Sequence, residues 1–308
     1  MPQFFFTILL LDTAPCSKNF MAFNFAIFKT RTLSAIIFAV IMIGGLIYNQ
    51  WSFLLLFVVI HFGCWWEFHK LMDKIEPTYK DLPNLLRYSM MLIGLGYMLF
   101  MCNPIPYPIG KHNLHELGGY LLVAMFAIFL LGLIVFYKKI SFNNVLSLIA
   151  GFLYISLSWG LMIKLRWRLT IFTRVDTGWI IPVVLVASIW VNDTMAYIAG
   201  SIFGRRPLST ISPKKTWEGT IAGIILAVMI ISYGGNILFQ LPFRLLILIS
   251  FLASVIGTFG DLLESKLKRL AGVKDSGSMM PGHGGFLDRF DSLLLATPYI
   301  WLFADMFL

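Results

Sequence analysis

Long apolar runs recur along the whole chain, each close to the roughly 20 residues that a helix needs to cross a bilayer. They lie near residues 33–49, 51–68, 84–102, 119–137, 144–163, 178–200, 219–239, 243–263 and 286–306. The first two are joined by the short "YNQW" and predict a tight hairpin. Polar stretches separate the others, among them "DKIEPTYKDLPN", "GRRPLSTISPKKTWEG" and "ESKLKRLAGVKDSGSMMPGHGG". No alternation of period two is sustained, so the pattern predicts an all-α, polytopic transmembrane bundle of about nine spans. The chain divides into an N-terminal segment (1–32), a first group of transmembrane helices (33–175) and a C-terminal transmembrane group (176–308) that holds the candidate chemistry.

Composition agrees with a lipid solvent. Of 308 residues, 58% are hydrophobic and 13% charged, where a soluble domain carries about 25% charged residues. Mean hydropathy is +0.82. Lys and Arg set the orientation: a cytoplasmic N-terminus leaves most of them on the inner side. The loop with Lys164, Arg166, Arg168 and Arg174 runs against that trend. The opening "MPQFFFTILLLDTAPCSKNF" has no basic residue before its apolar run. It is a poor secretory signal, and Met21 is favoured as the start of translation. The net charge of +9 suits anionic headgroups or phosphorylated substrates. Cys16, Cys64 and Cys102 have neither metal-type spacing nor a disulfide framework.

The chemistry is concentrated in the second half. Acids of the first half are read as loop charges, whereas Asp193, Asp261, Glu264, Asp288 and Asp291 lie within or against predicted spans. A charge at helix depth costs a few kcal/mol on insertion scales, so function is the default reading. Asp261, Glu264, Ser265 and Lys268 stand at offsets 0, 3, 4 and 7 and share a helical face. Asp288 and Asp291 line the first turn of the last helix, where capping accounts for one acid but not for both. Asp261, Asp288 and Asp291 are expected to converge on a hard cation, with Asp193 as a weaker ligand. That cation is expected to be magnesium, alone or with a second monovalent or divalent ion. Around them stand phosphate-binding types: Lys214, Lys215, Lys266, Lys268, Arg269, Lys274 and Arg289. The glycines of "PGHGG", with His283, Gly284 and Gly285, are expected to bring backbone N–H groups close to an anion.

Other motifs carry less. The S-x-x-K matches "SKLK" and "SPKK" lack the remaining penicillin-site motifs. The Gly200/Gly204 and Gly219/Gly223 spacings predict helix packing and make a homodimer plausible. His61 and His69 are read as structural, and His112 and His115 lack a third ligand.

The stretch "SKLKRLAGVKDSGSMMPGHGGFLDRFD", with "NDTMAYIAGSIFGRRPL" and "SPKKTWEGTIAG" upstream, resembles the bacterial phosphatidate cytidylyltransferases. Ser265, Lys268, Arg269, Lys274, Asp275, Pro281, His283, Gly284, Gly285, Asp288, Arg289 and Asp291 carry the likeness; Met280 departs mildly from it. The first half is similar only in hydropathy. The resemblance implies transfer of a cytidylyl group from CTP to phosphatidate, giving CDP-diacylglycerol and pyrophosphate in phospholipid biosynthesis. It places that reaction at the cytoplasmic face of the inner membrane, with membrane lipids as surroundings and no nucleic acid as partner. Asp261, Ser265, Lys268, Arg269, Asp288 and Asp291 are the expected catalytic set. Lys214, Lys215, Lys274, His283, Gly284, Gly285 and Arg289 are the expected substrate contacts. A CTP-dependent lipid-alcohol kinase and an ion-coupled transporter are the competing readings. The transporter lacks support from an internal repeat.

Overall fold

The computed structural model describes residues 25–105, 107–167, 177–277 and 284–307. Nine long helices occur among them: α1 (Phe25–Ile47), α2 (Gln50–Ile75), α3 (Asn84–Phe100), α4 (Leu114–Val135), α5 (Phe142–Leu165), α6 (Ile180–Phe203), α7 (Trp217–Phe239), α8 (Phe243–Leu270) and α9 (Leu287–Phe307). The only strands among the described residues are a two-residue pair, Pro108–Ile109 with His112–Asn113. The expectation of an all-α chain is therefore met. Six helices, α2 and α4 to α8, are long and apolar enough to cross a membrane. The chain is a multi-pass membrane protein.

Two helices outrun the expected spans in a way that matters for the site. Helix α2 was expected to stop near residue 68 but continues to Ile75, and α8 continues past 263 to Leu270. Their final turns carry "EFHKLMDKI" and "ESKLKRL". Both are polar enough to leave the apolar window yet remain good helix formers. Asn49 caps α2 through a reciprocal bond pair with Ser52, which accounts for the tight α1–α2 turn.

The helices pack mainly as sequential hairpins, α3 with α4, α6 with α7 and α8 with α9, while α8 also touches α6 and α7, and α9 lies on α5. Gly219 and Gly223 make the α6–α7 contact close: a Cβ on Gly219 would stand 2.6 Å from the Ala196 carbonyl oxygen, and one on Gly223 2.7 Å from Ala196 Cβ. This agrees with the packing role expected of these glycines. Helices α4 and α7 are mostly uncovered and expose Val123, Phe126, Leu131, Ile225, Met229 and Ile237. Apolar residues on all sides of a helix suit lipid contact.

The core is aromatic. Phe57 of α2 lies 5.1 Å from Trp159 of α5, which meets Phe290 of α9 edge-on at 5.6 Å. Phe290 stands between Asp288 and Asp291, so its burial fixes the first turn of α9 against α2 and α5. A π-helical segment, Phe152–Ser156, interrupts α5. It points Ser156 at α2, where Trp65 Nε1 donates to its Oγ at 2.9 Å and His61 Nε2 lies 3.0 Å away. His61 is thus structural, and His69, 2.7 Å from the Tyr79 hydroxyl, is too. Arg166, expected on an outer loop, is fully buried. It donates to the Leu46 carbonyl at 3.2 Å with its guanidinium over the Phe53 ring, so it is not a free loop charge.

Candidate active site

Polar side chains collect where α2, α8 and α9 meet the α6–α7 connection. Asp288, in the first turn of α9, is the most heavily bonded acid. Its Oδ1 lies 2.5 Å from Lys268 Nζ. Its Oδ2 accepts the Ser276 N–H at 2.9 Å and the Gly285 N–H at 2.7 Å, and lies 2.9 Å from Ser276 Oγ. Lys268 Nζ also lies 2.5 Å from Glu264 Oε2, one turn earlier on α8. Glu264 is fully buried, and its Oε1 has no hydrogen-bond partner among the described residues. The common face predicted for α8 is realised in this Glu264–Lys268–Asp288 chain.

The second acid on that face has a different partner. Asp261 Oδ2 lies 2.7 Å from Lys215 Nζ, a close ion pair without the angles of a directed hydrogen bond. Asp193 of α6 and Asp291 of α9 are within electrostatic reach of the same ammonium. Burial alone would lower the pKa of Lys215. The facing carboxylates of Asp261 and Asp193 outweigh it and hold the group above its ordinary value. Among the described residues the carboxyl groups of Asp261, Asp193 and Asp291 thus share this one ammonium. Helices α8 and α9 touch here, because a Cβ on Gly260 would fall 2.5 Å from the Asp291 carbonyl oxygen.

Asp261 and Asp288 accordingly take different lysines as partners, with Asp291 within electrostatic reach of Asp261. Asp288 is taken up by Lys268, Ser276 and Gly285, and Asp261 by Lys215; Glu264 stands within electrostatic reach of both Asp288 and Asp291. Among the described residues no group of three or more His, Cys, Asp or Glu side chains could hold a metal by itself. The physical reason is competition: a lysine and two backbone N–H groups already saturate Asp288.

The largest departure from the sequence reading is Glu67. This acid of α2 is buried and accepts the Phe286 and Leu287 N–H groups, each at 2.9 Å, while its Oε2 lies 2.7 Å from Ser276 Oγ. A carboxylate from the first half of the chain thus caps α9 and ties down both flanks of the glycine loop. Gly63, one turn before it, is where the Phe286 ring sits: a Cβ there would be 2.4 Å from that ring. A Cβ on Gly277 or Gly285 would come 2.1 or 2.2 Å from the Glu67 carboxylate. Gly284 has φ +81, a backbone region that favours glycine. The Gly285 N–H expected to face an external anion is spent on Asp288. His283 lies outside the described residues.

The remaining expected residues lie around this centre. Ser265 is half-buried on α8; Arg269 is exposed and reaches the Val273 carbonyl at 3.5 Å; Lys274 and Arg289 are exposed. Lys214 is exposed beside Lys215 in an ordered connection. In it Leu208 N–H donates to the Lys215 carbonyl at 2.7 Å, and Glu218 Oε2 accepts the Arg205 and Arg206 N–H groups at 3.1 and 3.2 Å.

The sequence profile described as "Cytidylyltransferase family" matches residues 29–307. The chain belongs to that family. It is similar to the phosphatidate cytidylyltransferase of Staphylococcus saprophyticus, at 30% identity over 279 residues, 88% of this chain and 97% of that protein. The enzyme of the same name from Bacillus subtilis is 44% identical over 126 residues, 39% of this chain and 45% of its own length. Phosphatidate cytidylyltransferase 4, chloroplastic, of Arabidopsis thaliana is 42% identical over 133 residues, 41% of this chain and 32% of its own. As a cytidylyltransferase-family member the chain is a nucleotidyltransferase.

Proposed function

We propose that this chain is a phosphatidate cytidylyltransferase, which joins CTP and phosphatidate to give CDP-diacylglycerol and pyrophosphate. The observation that carries the reading is the convergence of Lys268, Lys215 and their acidic partners in a family member whose full-length relative bears that name. A phosphate oxygen of phosphatidate attacks the α-phosphorus of CTP. The bond from that phosphorus to the bridging oxygen of the β-phosphate breaks, and pyrophosphate leaves. A phosphate monoester is already ionised near neutral pH, so positioning and charge neutralisation dominate and no strong base is required. Lys215, Lys268, Arg269, Lys274 and Arg289 supply cations around the phosphates, with Lys214 at the rim. Ser276, Glu67 and Asp288 hold the backbone that carries them.

The residues present fit magnesium in a substrate-completed manner. Magnesium commonly takes one or two protein carboxylates and fills its remaining positions with substrate phosphates and water. Asp261 and Asp291, with Asp193 close by, are the acids that share the Lys215 ammonium, and they would hold the metal ion. When bound, the ion supplies further neutralisation of the phosphates. Asp288 serves as an organiser of the loop rather than a ligand.

Nine crossings with the N-terminus in the cytoplasm place the end of α2, the α6–α7 connection and the α8–α9 connection on one side, the cytoplasmic face of the inner membrane. That side is where soluble CTP meets phosphatidate. The small-residue faces of α6 and α7 are consumed within the chain, so a homodimer would use another surface.

Labelled CTP tests the reading. With purified protein, phosphatidate and magnesium, label in the α-phosphate or in the base is expected in the lipid product, and γ-label only in pyrophosphate. Transfer of γ-label alone to lipid would identify a kinase and overturn the proposal.

A further inference from the structure

Beyond Glu67, α2 runs on for two more turns and carries Lys70 and Lys74 at offsets three and seven, on the face that meets the loop before α9. Lys70, Lys74 and Lys80, with Asp73, Asp275 and Ser276, line a cavity of about 290 Å3. All three lysines are exposed. Lys70 Nζ lies 5.1 Å from the centre of the Trp66 ring, a contact that steadies an ammonium without neutralising it. Asp73 is committed to Arg87, whose Nη2 lies 2.8 Å from its Oδ1. Among the described lining residues only Asp275 then stands against three lysines, which leaves positive charge in excess there.

Its wall is shared with the active site. Ser276 lines the cavity, and it is also the residue whose N–H and Oγ reach Asp288 and whose Oγ reaches Glu67. An anion held here therefore rests on the segment that positions Asp288. Size narrows its identity: pockets for whole small molecules run from about 300 to 1,000 Å3, so a space of about 290 Å3 suits a diphosphate better than an entire nucleotide.

We infer that the Lys70–Lys74–Lys80 cavity is a diphosphate subsite, taking the β- and γ-phosphates of the nucleoside triphosphate and then the pyrophosphate that leaves. The inference rests on the proposed cytidylyl transfer. An anionic lipid headgroup has the same phosphate chemistry and is the alternative source of such an anion.

The test uses the full chain in detergent and a triple variant, Lys70→Gln, Lys74→Gln and Lys80→Gln. These exposed side chains leave the fold intact, which an unchanged melting temperature checks. Calorimetry with inorganic pyrophosphate is expected to show binding weakened at least tenfold in the variant. Its KM for CTP should rise by a similar factor while the KM for phosphatidate stays put. Unchanged pyrophosphate affinity overturns the assignment. So does a selective rise in the KM for phosphatidate, which would give the cavity to the lipid headgroup. Should wild type bind pyrophosphate through these lysines yet form no liponucleotide, the reaction proposal fails and the subsite stands.

Discussion

Replacing Glu67 with alanine is expected to cut activity by at least a hundredfold and to lower the melting temperature by several degrees. The change strands the Phe286 and Leu287 N–H groups and takes one acceptor from Ser276. A buried donor left without an acceptor costs about 1–3 kcal/mol, so the loop before α9 loses several kcal/mol of restraint. Glu67→Gln should do less damage, near tenfold, because its carbonyl oxygen still accepts one N–H while its amide nitrogen faces a second donor. Gly285→Ala should match the alanine variant, since the added Cβ would drive into the Glu67 carboxylate. Turnover measured at equal amounts of membrane-inserted protein decides the matter. Wild-type turnover in Glu67→Ala would show that α9 needs no support from α2.

Lys268→Met carries the second large effect. It leaves Glu264, which is fully buried, and Asp288 without the ammonium 2.5 Å from each. Breaking a buried ion pair by removing one partner costs about 3–5 kcal/mol, and loss of activity is expected with a marked fall in melting temperature. Adding Glu264→Gln removes the buried carboxyl that has lost its partner, so the double variant should regain part of its thermal stability. It should not regain turnover, because the cation proposed to face the phosphates is still missing. Thermal melts and turnover of the two variants together make the check. Recovery of both would reduce Lys268 to a structural neutraliser.

The bundle was legible because hydropathy reports the solvent: each of the nine apolar runs became a helix. Helix ends were not, because the last turns of α2 and α8 are polar and keep their helical form by propensity and packing. That error hid Glu67. With α2 ended near residue 68, Glu67 falls among the first-half acids read as loop charges, although an acid after "CWW" on a 26-residue helix sits at a depth where function is the default. The face holding Asp261, Glu264 and Lys268 could be read from spacing alone. Which partner each acid takes could not. Offsets along one helix say nothing of Lys215 arriving from the α6–α7 connection, or of Ser276 and Gly285 saturating Asp288.

Hydrogen exchange of the full chain with and without CTP addresses most directly the claim that nucleotide phosphates bind where α2, α8 and α9 meet. Slower exchange on adding CTP is expected in segments 273–277 and 284–289 and around Lys215, with no change in the Pro108–Asn113 hairpin. Unaltered exchange in both of those loop segments at saturating CTP would contradict the account.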